Sequence, residues 1–247
     1  MLSTRPQADA EADCGYLAKH NLTAIPVPVL AIQPRHFTPR QNKTKSHAFD
    51  AVIFTSRHAP AAFASTINQH AQDILSLPCY AVGTATAKSA EAVGFTSVVT
   101  GSGDGKGLVA LLGETPHNKF CWASAEVTGF DIKGELEKTT PKQVEKLVVY
   151  DALPIPELHA DALKILREGK HGLLALIHSG RAGAQFRHLL NQHAPSAIPT
   201  ITLIVPSREV ARHSGHGWHS IYEAPAPTRH AMLALAVKLA GQNKSTR

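Results

Sequence analysis

Four loops of the sequence share one pattern, in which a hydroxyl residue ends an apolar run and an arginine follows. The segments are Thr4-Arg5, Ser56-Arg57, Ser179-Gly180-Arg181 and Ser207-Arg208. A fifth apolar run ends in Val82-Gly83-Thr84, with a second hydroxyl at Thr86. Hydroxyls, backbone N–H groups and arginines are the groups that hold carboxylates and phosphates. The pattern therefore predicts a site for an anion, although Ser and Thr at such places also serve as helix caps.

These loops serve one ligand only if the fold gathers them at one edge of a sheet. In parallel α/β sheets, ligands bind beyond the carboxyl ends of the strands, where helix N-termini present N–H groups. Apolar runs alternate with helical patterns throughout the chain, as where Ala51–Phe54 precedes a helix over 60–70. Likewise Cys79–Val82 precedes a helix over 85–93 that Gly94 closes. This alternation predicts parallel sheets with helices on both faces.

The segment from Ala51 to Leu112 is repeated later in the chain without a gap. The offset that relates Ser56 to Ser179 also relates Phe63 to Phe186. Unrelated βα units would not be expected to keep one offset over such a length. We therefore predict two similar α/β domains of flavodoxin-like or Rossmann-like type, with the ligand in the cleft between them.

The order of the segments predicts a discontinuous first domain. The βαβ pattern over 2–30 has no apparent counterpart in the repeat, and the second copy lacks an N-terminal strand of its own. We expect residues 1–33 to complete the domain formed by 155–247, with 37–150 inserted as the other domain. The two chain crossings, at about 32–36 and 151–156, would form a hinge stiffened by prolines. Within the insertion, Pro39–Lys45 is predicted to be a basic loop.

Composition narrows the class of partner. The chain has 25 Lys and Arg against 19 Asp and Glu, a net charge of +6, which favours an anionic partner. The basic residues are dispersed and aromatic residues make up only 6%, so we expect no nucleic-acid partner, an alternative that only the charge would favour. No apolar run reaches the roughly 18 residues of a membrane helix, and no signal-peptide core is present. Because the 3 cysteines have no CxxC spacing, we expect a cytoplasmic protein, and we expect a monomer.

Two other motifs are not predicted to bind a cofactor. The glycine-rich run Gly101–Gly107 has the wrong spacing for a P-loop, since Thr100 stands where the first glycine belongs, and a flexible turn is expected. The closely spaced His213, His216 and His219 have no carboxylate or thiolate nearby, so no metal site is predicted. The sequence therefore predicts neither a nucleotide nor a metal.

Tyr150 differs from the other tyrosines in its position. It ends the strand that begins at about Lys146 and stands directly before the predicted hinge. Its phenol is therefore a candidate proton donor to a bound ligand. The alternative is a tyrosine that caps the edge of the sheet.

Five segments carry a family resemblance through their order and spacing. They are Leu2–Pro6, Phe54–Ser56 followed by Ala59, Ala81–Ala87, Val148–Tyr150, and Ser207–Ala211 with Gly217-Trp218. Together they resemble the uroporphyrinogen-III synthase family over nearly the whole chain. The chain departs from the family pattern at His58, where Asn is usual, at Pro60, at Trp122–Glu126 and at Pro206.

The resemblance implies a cofactor-free lyase of heme biosynthesis. Such an enzyme closes hydroxymethylbilane, a linear tetrapyrrole rich in carboxylates, with loss of water and inversion of the last ring, to give uroporphyrinogen III. It implies Tyr150 as the catalytic acid. The residues that we assign to substrate binding are Thr4, Arg5, Pro6, Thr55, Ser56, Arg57, Gly83, Thr84, Ala85, Thr86, Ser124, Ser179, Gly180, Arg181, Ser207 and Arg208. The alternative is a diverged, non-catalytic two-domain protein of the cytosol that binds an anion.

Overall fold

The computed structural model describes residues 1–35, 49–67, 71–168 and 172–244. The predicted loop Pro39–Lys45 and His36 of the first predicted crossing lie outside the described residues. Contacts divide the chain into two units. We call them the terminal unit, Met1–Ala31 with Leu153–Arg247, and the inserted unit, Ile32–Ala152.

The elements follow one another in chain order. From the start to the second boundary they are β1 (Leu2–Ser3), α1 (Gln7–Ala18), β2 (Ile25–Pro26), β3 (Leu30–Pro34), β4 (Ala51–Phe54), α2 (Ala59–Ile67), α3 (Ala71–Leu75), β5 (Cys79–Ala81), α4 (Thr84–Ala92), β6 (Val98–Thr100), α5 (Gly105–Glu114), β7 (Lys119–Ala125), α6 (Ile132–Thr139) and β8 (Gln143–Pro154). The rest are α7 (Ala160–Arg167), β9 (Leu173–Leu176), α8 (Gly180–His193), a 3-10 helix (Pro195–Thr200), β10 (Ile201–Val205), α9 (Arg208–His213), β11 (Ser220–Glu223) and α10 (Arg229–Lys244).

The terminal unit contains a sheet in the order β11-β10-β9-β1-β2, in which each strand is parallel to its neighbours. Adjacent strand residues point to opposite faces. Accordingly, Leu203 packs in one buried cluster with Phe186 of α8, whereas Ile204 packs in another with Met232 of α10. The predicted parallel sheet with both faces covered is confirmed here.

The inserted unit follows the same plan, with strand order β3-β8-β7-β4-β5-β6. Val52 and Ile53 of β4 again belong to different buried clusters on the two faces. The exception to parallel pairing is β3, which runs antiparallel to β8, since Arg35 N–H donates to the Val149 carbonyl (2.9 Å) while Ile155 N–H donates to the Val29 carbonyl (2.9 Å). Both sheets are thus dominated by parallel pairs.

The predicted repeat is confirmed in the topology. Strands β4, β5 and β6 are neighbours in that order, and so are β9, β10 and β11, with α2, α4 and α5 matching α8, α9 and α10. Beyond the repeat, however, the prediction that 2–30 lacks a counterpart is wrong. The segment β1–α1–β2 extends its sheet from β9 just as β7–α6–β8 extends the other from β4. Apart from the additional strand β3 of the inserted unit, each unit is therefore the same five-strand arrangement. The βαβ segment precedes the repeated strands in the terminal unit and follows them in the inserted unit.

None of the helices in the described part of the chain is both long and apolar enough to span a membrane.

Candidate active site

The predicted site residues of the terminal unit lie at the carboxyl edge of its sheet. Thr4–Pro6 follow β1, Ser179–Arg181 follow β9, and Ser207-Arg208 follow β10. Because β1, β9 and β10 are adjacent and parallel, these three loops are neighbours at one edge. Their binding role stays a prediction.

Two of the hydroxyls at this edge are helix caps, as the alternative interpretation held. Ser179 Oγ accepts a hydrogen bond from Ala182 N–H (3.2 Å) at the start of α8, and Ser207 Oγ accepts one from Val210 N–H (3.4 Å). A capping hydroxyl accepts through its oxygen and keeps its own O–H as a donor. Thr4 is different, because its buried hydroxyl donates to the Leu176 carbonyl (2.8 Å) and so ties β1 to β9.

Arg5 belongs to a buried charge network. Its guanidinium lies 2.8 Å from Asp9 Oδ2 and 3.5 Å from Asp13 Oδ1, and its side chain is 16% exposed. Asp13 in turn accepts from Arg229 Nε (2.6 Å) and from the Ser3 hydroxyl (2.7 Å). Burial lowers the pKa of Arg5, and Asp13 opposes that shift. Two carboxylates thus offset the charge of Arg5 within the fold.

His178, which the sequence analysis passed over, lies beside this network. It follows β9, in which Ala175 pairs with Leu2 and Leu176 pairs with Ser3. Continued by two residues, this register places His178 beside Arg5. Both ring nitrogens are inaccessible to solvent, and neither has a hydrogen-bond partner among the residues that the structure describes. Burial, reinforced by the positive charge of Arg5, lowers the pKa of His178 to about 3. The imidazole is therefore neutral at physiological pH.

The other predicted arginines have different surroundings. The Arg208 side chain is 94% exposed, with Nε 3.6 Å from Glu223 Oε2. Arg181 is exposed and Arg57 is half-buried. The Arg57 carbonyl accepts from the Ser89 hydroxyl (2.7 Å), which ties its loop to α4. Arg208 thus presents its cationic group to solvent and hence to a ligand.

In the inserted unit, predicted residues again follow adjacent strands. Thr55–Arg57 follow β4, while Gly83–Thr86 stand after β5 and begin α4. Thr84 and Ala85 are exposed at the first turn of this helix, where backbone N–H groups have no intrahelical partner. A β-carbon at Gly83 would lie 3.2 Å from Gly103 Cα, so glycine allows the two loops to pack. The first turn of α4 is therefore a ready place for an anion.

The glycine-rich run forms the predicted turn in its first part, whereas its last three residues begin α5. Gly101 N–H donates to the Ala81 carbonyl (2.8 Å), and Gly103 N–H donates to the Val82 carbonyl (2.8 Å). Residues 101–104 thus connect β6 to α5 and bind the end of β5 and the loop that follows it.

Tyr150 lies in β8, is 6% exposed and packs in the buried cluster below α2. The pairing of β7 with β8 slips here, because Ser124 pairs with Val148 while Ala125 pairs with Tyr150. This bulge leaves Val149 as an extra residue, and Val149 and Tyr150 consequently join the same cluster, although neighbours in a regular strand would point to opposite faces. The bulge is what aims the Tyr150 ring towards α2.

Thr55, His58 and Ser124 lie at the same edge of the sheet as Tyr150. The ring of His58, just before α2, lies 6.2 Å from the Tyr150 ring, centroid to centroid, at 62°. Thr55 Oγ1 accepts from Trp122 Nε1 (3.1 Å), and the buried Ser124 hydroxyl donates to the Ala125 carbonyl (3.1 Å). The hydroxyls of Thr55 and Ser124 are thus each hydrogen-bonded within the inserted unit. Within the described residues, no group of three or more His, Cys, Asp or Glu side chains is arranged to hold a metal ion.

Comparison with known proteins places the chain in a family. Residues 13–234 match the family model described as uroporphyrinogen-III synthase HemD. Among solved structures, a uroporphyrinogen-III synthetase from Helicobacter pylori aligns over 88% of this chain and 92% of its own, with 18% identity and a TM-score of 0.60. A mutant uroporphyrinogen III synthase from Thermus thermophilus aligns over 98% of both chains, with 15% identity and a TM-score of 0.55. At these identities the likeness concerns the fold. No curated protein sequence matches the chain.

Proposed function

Because its family model covers residues 13–234, this chain belongs to the uroporphyrinogen-III synthase family, and we propose that it converts hydroxymethylbilane to uroporphyrinogen III. It is an enzyme of heme biosynthesis, and its proposed class is that of the lyases. The family match over most of the chain is the observation that carries this proposal. The parallel two-unit fold, with polar loops at the carboxyl edges of both sheets, is consistent with it.

The reaction needs control of shape more than a strong reagent. The terminal hydroxyl of the linear substrate leaves as water, and the last ring is attacked at its substituted position, inverts and closes the macrocycle. Closure without inversion occurs spontaneously and competes. Holding the chain in one folded form supplies the positional part of the rate enhancement.

A proton must reach the departing hydroxyl, and Tyr150 is the proposed donor. The phenol gives its proton to the hydroxyl oxygen, the carbon–oxygen bond breaks, and water leaves. The bulge in β8 supports this role, because bulges next to active sites commonly re-aim a side chain. General acid assistance of this kind is typically worth about 10²–10⁴-fold.

The substrate carboxylates need donors, and the carboxyl edges of both units offer them. We propose that backbone N–H groups at the starts of α4 and α8 bind carboxylates, with Arg208, Arg181 and Arg57 adding positive charge. Arg5, whose charge Asp9 and Asp13 offset, orders its own loop and contributes less to binding.

The decisive experiment is a product analysis. Purified protein is added to freshly prepared hydroxymethylbilane, the products are oxidised to porphyrins, and the type I and type III isomers are separated. The proposal expects type III to dominate at a rate proportional to protein concentration. Product identical to the spontaneous type I isomer would refute the enzyme function and leave an anion-binding protein.

A further inference from the structure

His58 and Tyr150 form a contact pair between two elements of the inserted unit. Their rings meet edge to face, with centroids 6.2 Å apart at an interplanar angle of 62°. His58 is half-buried in the loop that joins β4 to α2, while Tyr150 is almost fully buried in β8. The pair thus joins a solvent-reachable imidazole to the phenol that serves as the proposed acid.

Both members of the pair are fixed by the backbone. His58 N–H donates to Ser56 Oγ (3.3 Å), and Ala59 N–H donates to the Ser56 carbonyl (3.1 Å), so the loop before α2 is a closed turn. The bulge at Val149 turns the Tyr150 ring to the same side of the sheet. The contact therefore results from two separate local structures that converge.

A phenol that gives up its proton becomes a phenolate, and a neighbour that favours negative charge makes it a better acid. Imidazole can do this through its N–H and, when protonated, through its charge. A unit positive charge at about the ring separation would favour the phenolate by roughly one to two powers of ten at the effective dielectric near a protein surface. This is the upper bound for a neutral imidazole, whose N–H carries only a partial charge. Phenylalanine at the same place would keep the edge-to-face packing and lose this effect.

We propose that His58 is a positioning residue for Tyr150, which holds the phenol ring and favours transfer of its proton to the departing hydroxyl of the substrate. The inference rests on the proposed function of Tyr150 as the acid. Other charged groups on the elements around this loop are Arg57, Asp73 of α3, Lys88 and Glu91 of α4, and the group formed by Arg35, Glu126 and Asp151. In that group Arg35 lies 2.8 Å from a carboxylate oxygen of each acid, so its charge is directed to them.

The same unit supplies a matched control. His117 and Tyr80 also meet edge to face, with centroids 6.0 Å apart at 65°, and His117 is half-buried like His58. His117 stands before β7, at the amino edge of the sheet, far along the strands from the loops that follow β4 and β5. A substitution at His117 changes a histidine–tyrosine pair of the same geometry without touching the proposed site.

The test uses full-length protein with His58→Phe, Tyr150→Phe, the double variant and His117→Phe. Turnover of fresh hydroxymethylbilane to the type III product gives kcat and KM, and NMR of ring-¹³C-labelled tyrosine gives the pH at which Tyr150 ionises. His58→Phe is expected to lower kcat about tenfold with KM unchanged within about twofold, and to shift Tyr150 ionisation to higher pH. In the Tyr150→Phe background, the same change should have no further effect. His117→Phe should leave kcat unchanged.

Three results would overturn the inference: Tyr150 ionisation at the same pH in the parent protein and in His58→Phe, unchanged kcat, or losses that add fully in the double variant. His58→Asn, which restores the residue usual in the family, should recover kcat towards that of the parent protein and so separates a polar role from a folding defect. If the parent protein forms no type III product, the proposed function fails, and the NMR titration alone decides on His58. An unchanged titration would then reject it.

Discussion

Acidification is expected to destabilise the terminal unit through His178. Burial, reinforced by Arg5, lowers the pKa of His178 to about 3 in the folded protein, whereas an unfolded chain has a histidine pKa of about 6.5. Between these values the unfolded chain binds a proton that the folded chain excludes. The stability associated with the neutral imidazole is therefore complete above about pH 6.5 and is lost progressively as the pH falls towards 3.

The size of the effect follows from the same two values. Well below the histidine pKa of the unfolded chain, each pH unit lowers the free energy of unfolding by about 1.4 kcal/mol. The single-site linkage relation therefore gives a loss of about 2 kcal/mol between pH 7 and pH 5. Arg229 opposes protonation of His178 together with Arg5, while Asp13 favours it. A loss of this size is a large fraction of the 5–15 kcal/mol that stabilises a typical domain.

The assay compares urea unfolding of the parent protein and of His178→Phe at pH 7 and pH 5. Phenylalanine keeps an aromatic ring in the buried position and cannot take up a proton. The chain has 2 tryptophans, and Trp218 packs on Phe186 in the terminal unit. With Trp122→Phe as the common background, fluorescence therefore reports unfolding of the terminal unit alone. The parent should lose about 2 kcal/mol more than the variant between the two pH values.

His188→Phe is the matched control, since His188 is an exposed histidine on α8, the helix that follows His178. Its loss of stability between pH 7 and pH 5 should equal that of the parent protein. If His178→Phe loses as much stability as the parent, the imidazole is not excluded from protonation by the fold, and the argument from its buried nitrogens is wrong.

Three further variants test the proposed site. Tyr150→Phe should lower kcat about 10²–10⁴-fold with little change in KM, measured with fresh hydroxymethylbilane, and a loss of only about threefold would mean that positioning dominates. Arg208→Ala should weaken binding of a stable linear tetrapyrrole analogue about tenfold in low-salt calorimetry and less in high salt, and equal affinity in both proteins would remove Arg208 from the site. Arg5→Ala should lower the free energy of unfolding by about 3 kcal/mol, because Asp9 and Asp13 lose a buried partner, and an unchanged urea midpoint would contradict this.

The repeated core could be predicted from sequence because its signals are local and strong. Every residue of β4 is buried, and α4 ends before Gly94, which has a positive φ of 107°. A short, wholly apolar run is followed by helical spacing there, and one offset repeats both. Such elements need no long-range information.

The counterpart of the N-terminal βαβ segment was missed because its signals are weak. In α6, only Ile132 and Leu136 are buried, and Gly134 interrupts the helical pattern. In the first half of β8 only Val144 is buried, and the bulge at Val149 that follows breaks the period of two. Neither α6 nor the first half of β8 stands out from a polar loop without knowledge of the sheet beside it, although the part of β8 from about Lys146 to Tyr150 was predicted as a strand.

The site shows where a local pattern stops being informative. A hydroxyl followed by arginine occurs at four of the five predicted loops. However, Asp13 and Arg229 meet across 216 positions, and that long-range pair helps offset the charge of Arg5. Arg208 has the same local sequence pattern and is almost fully exposed. Identical motifs therefore give one arginine that orders the fold and another that is open to a ligand. An anion should accordingly depend on Arg208 for affinity and on Arg5 for a folded edge, which the binding and unfolding measurements distinguish.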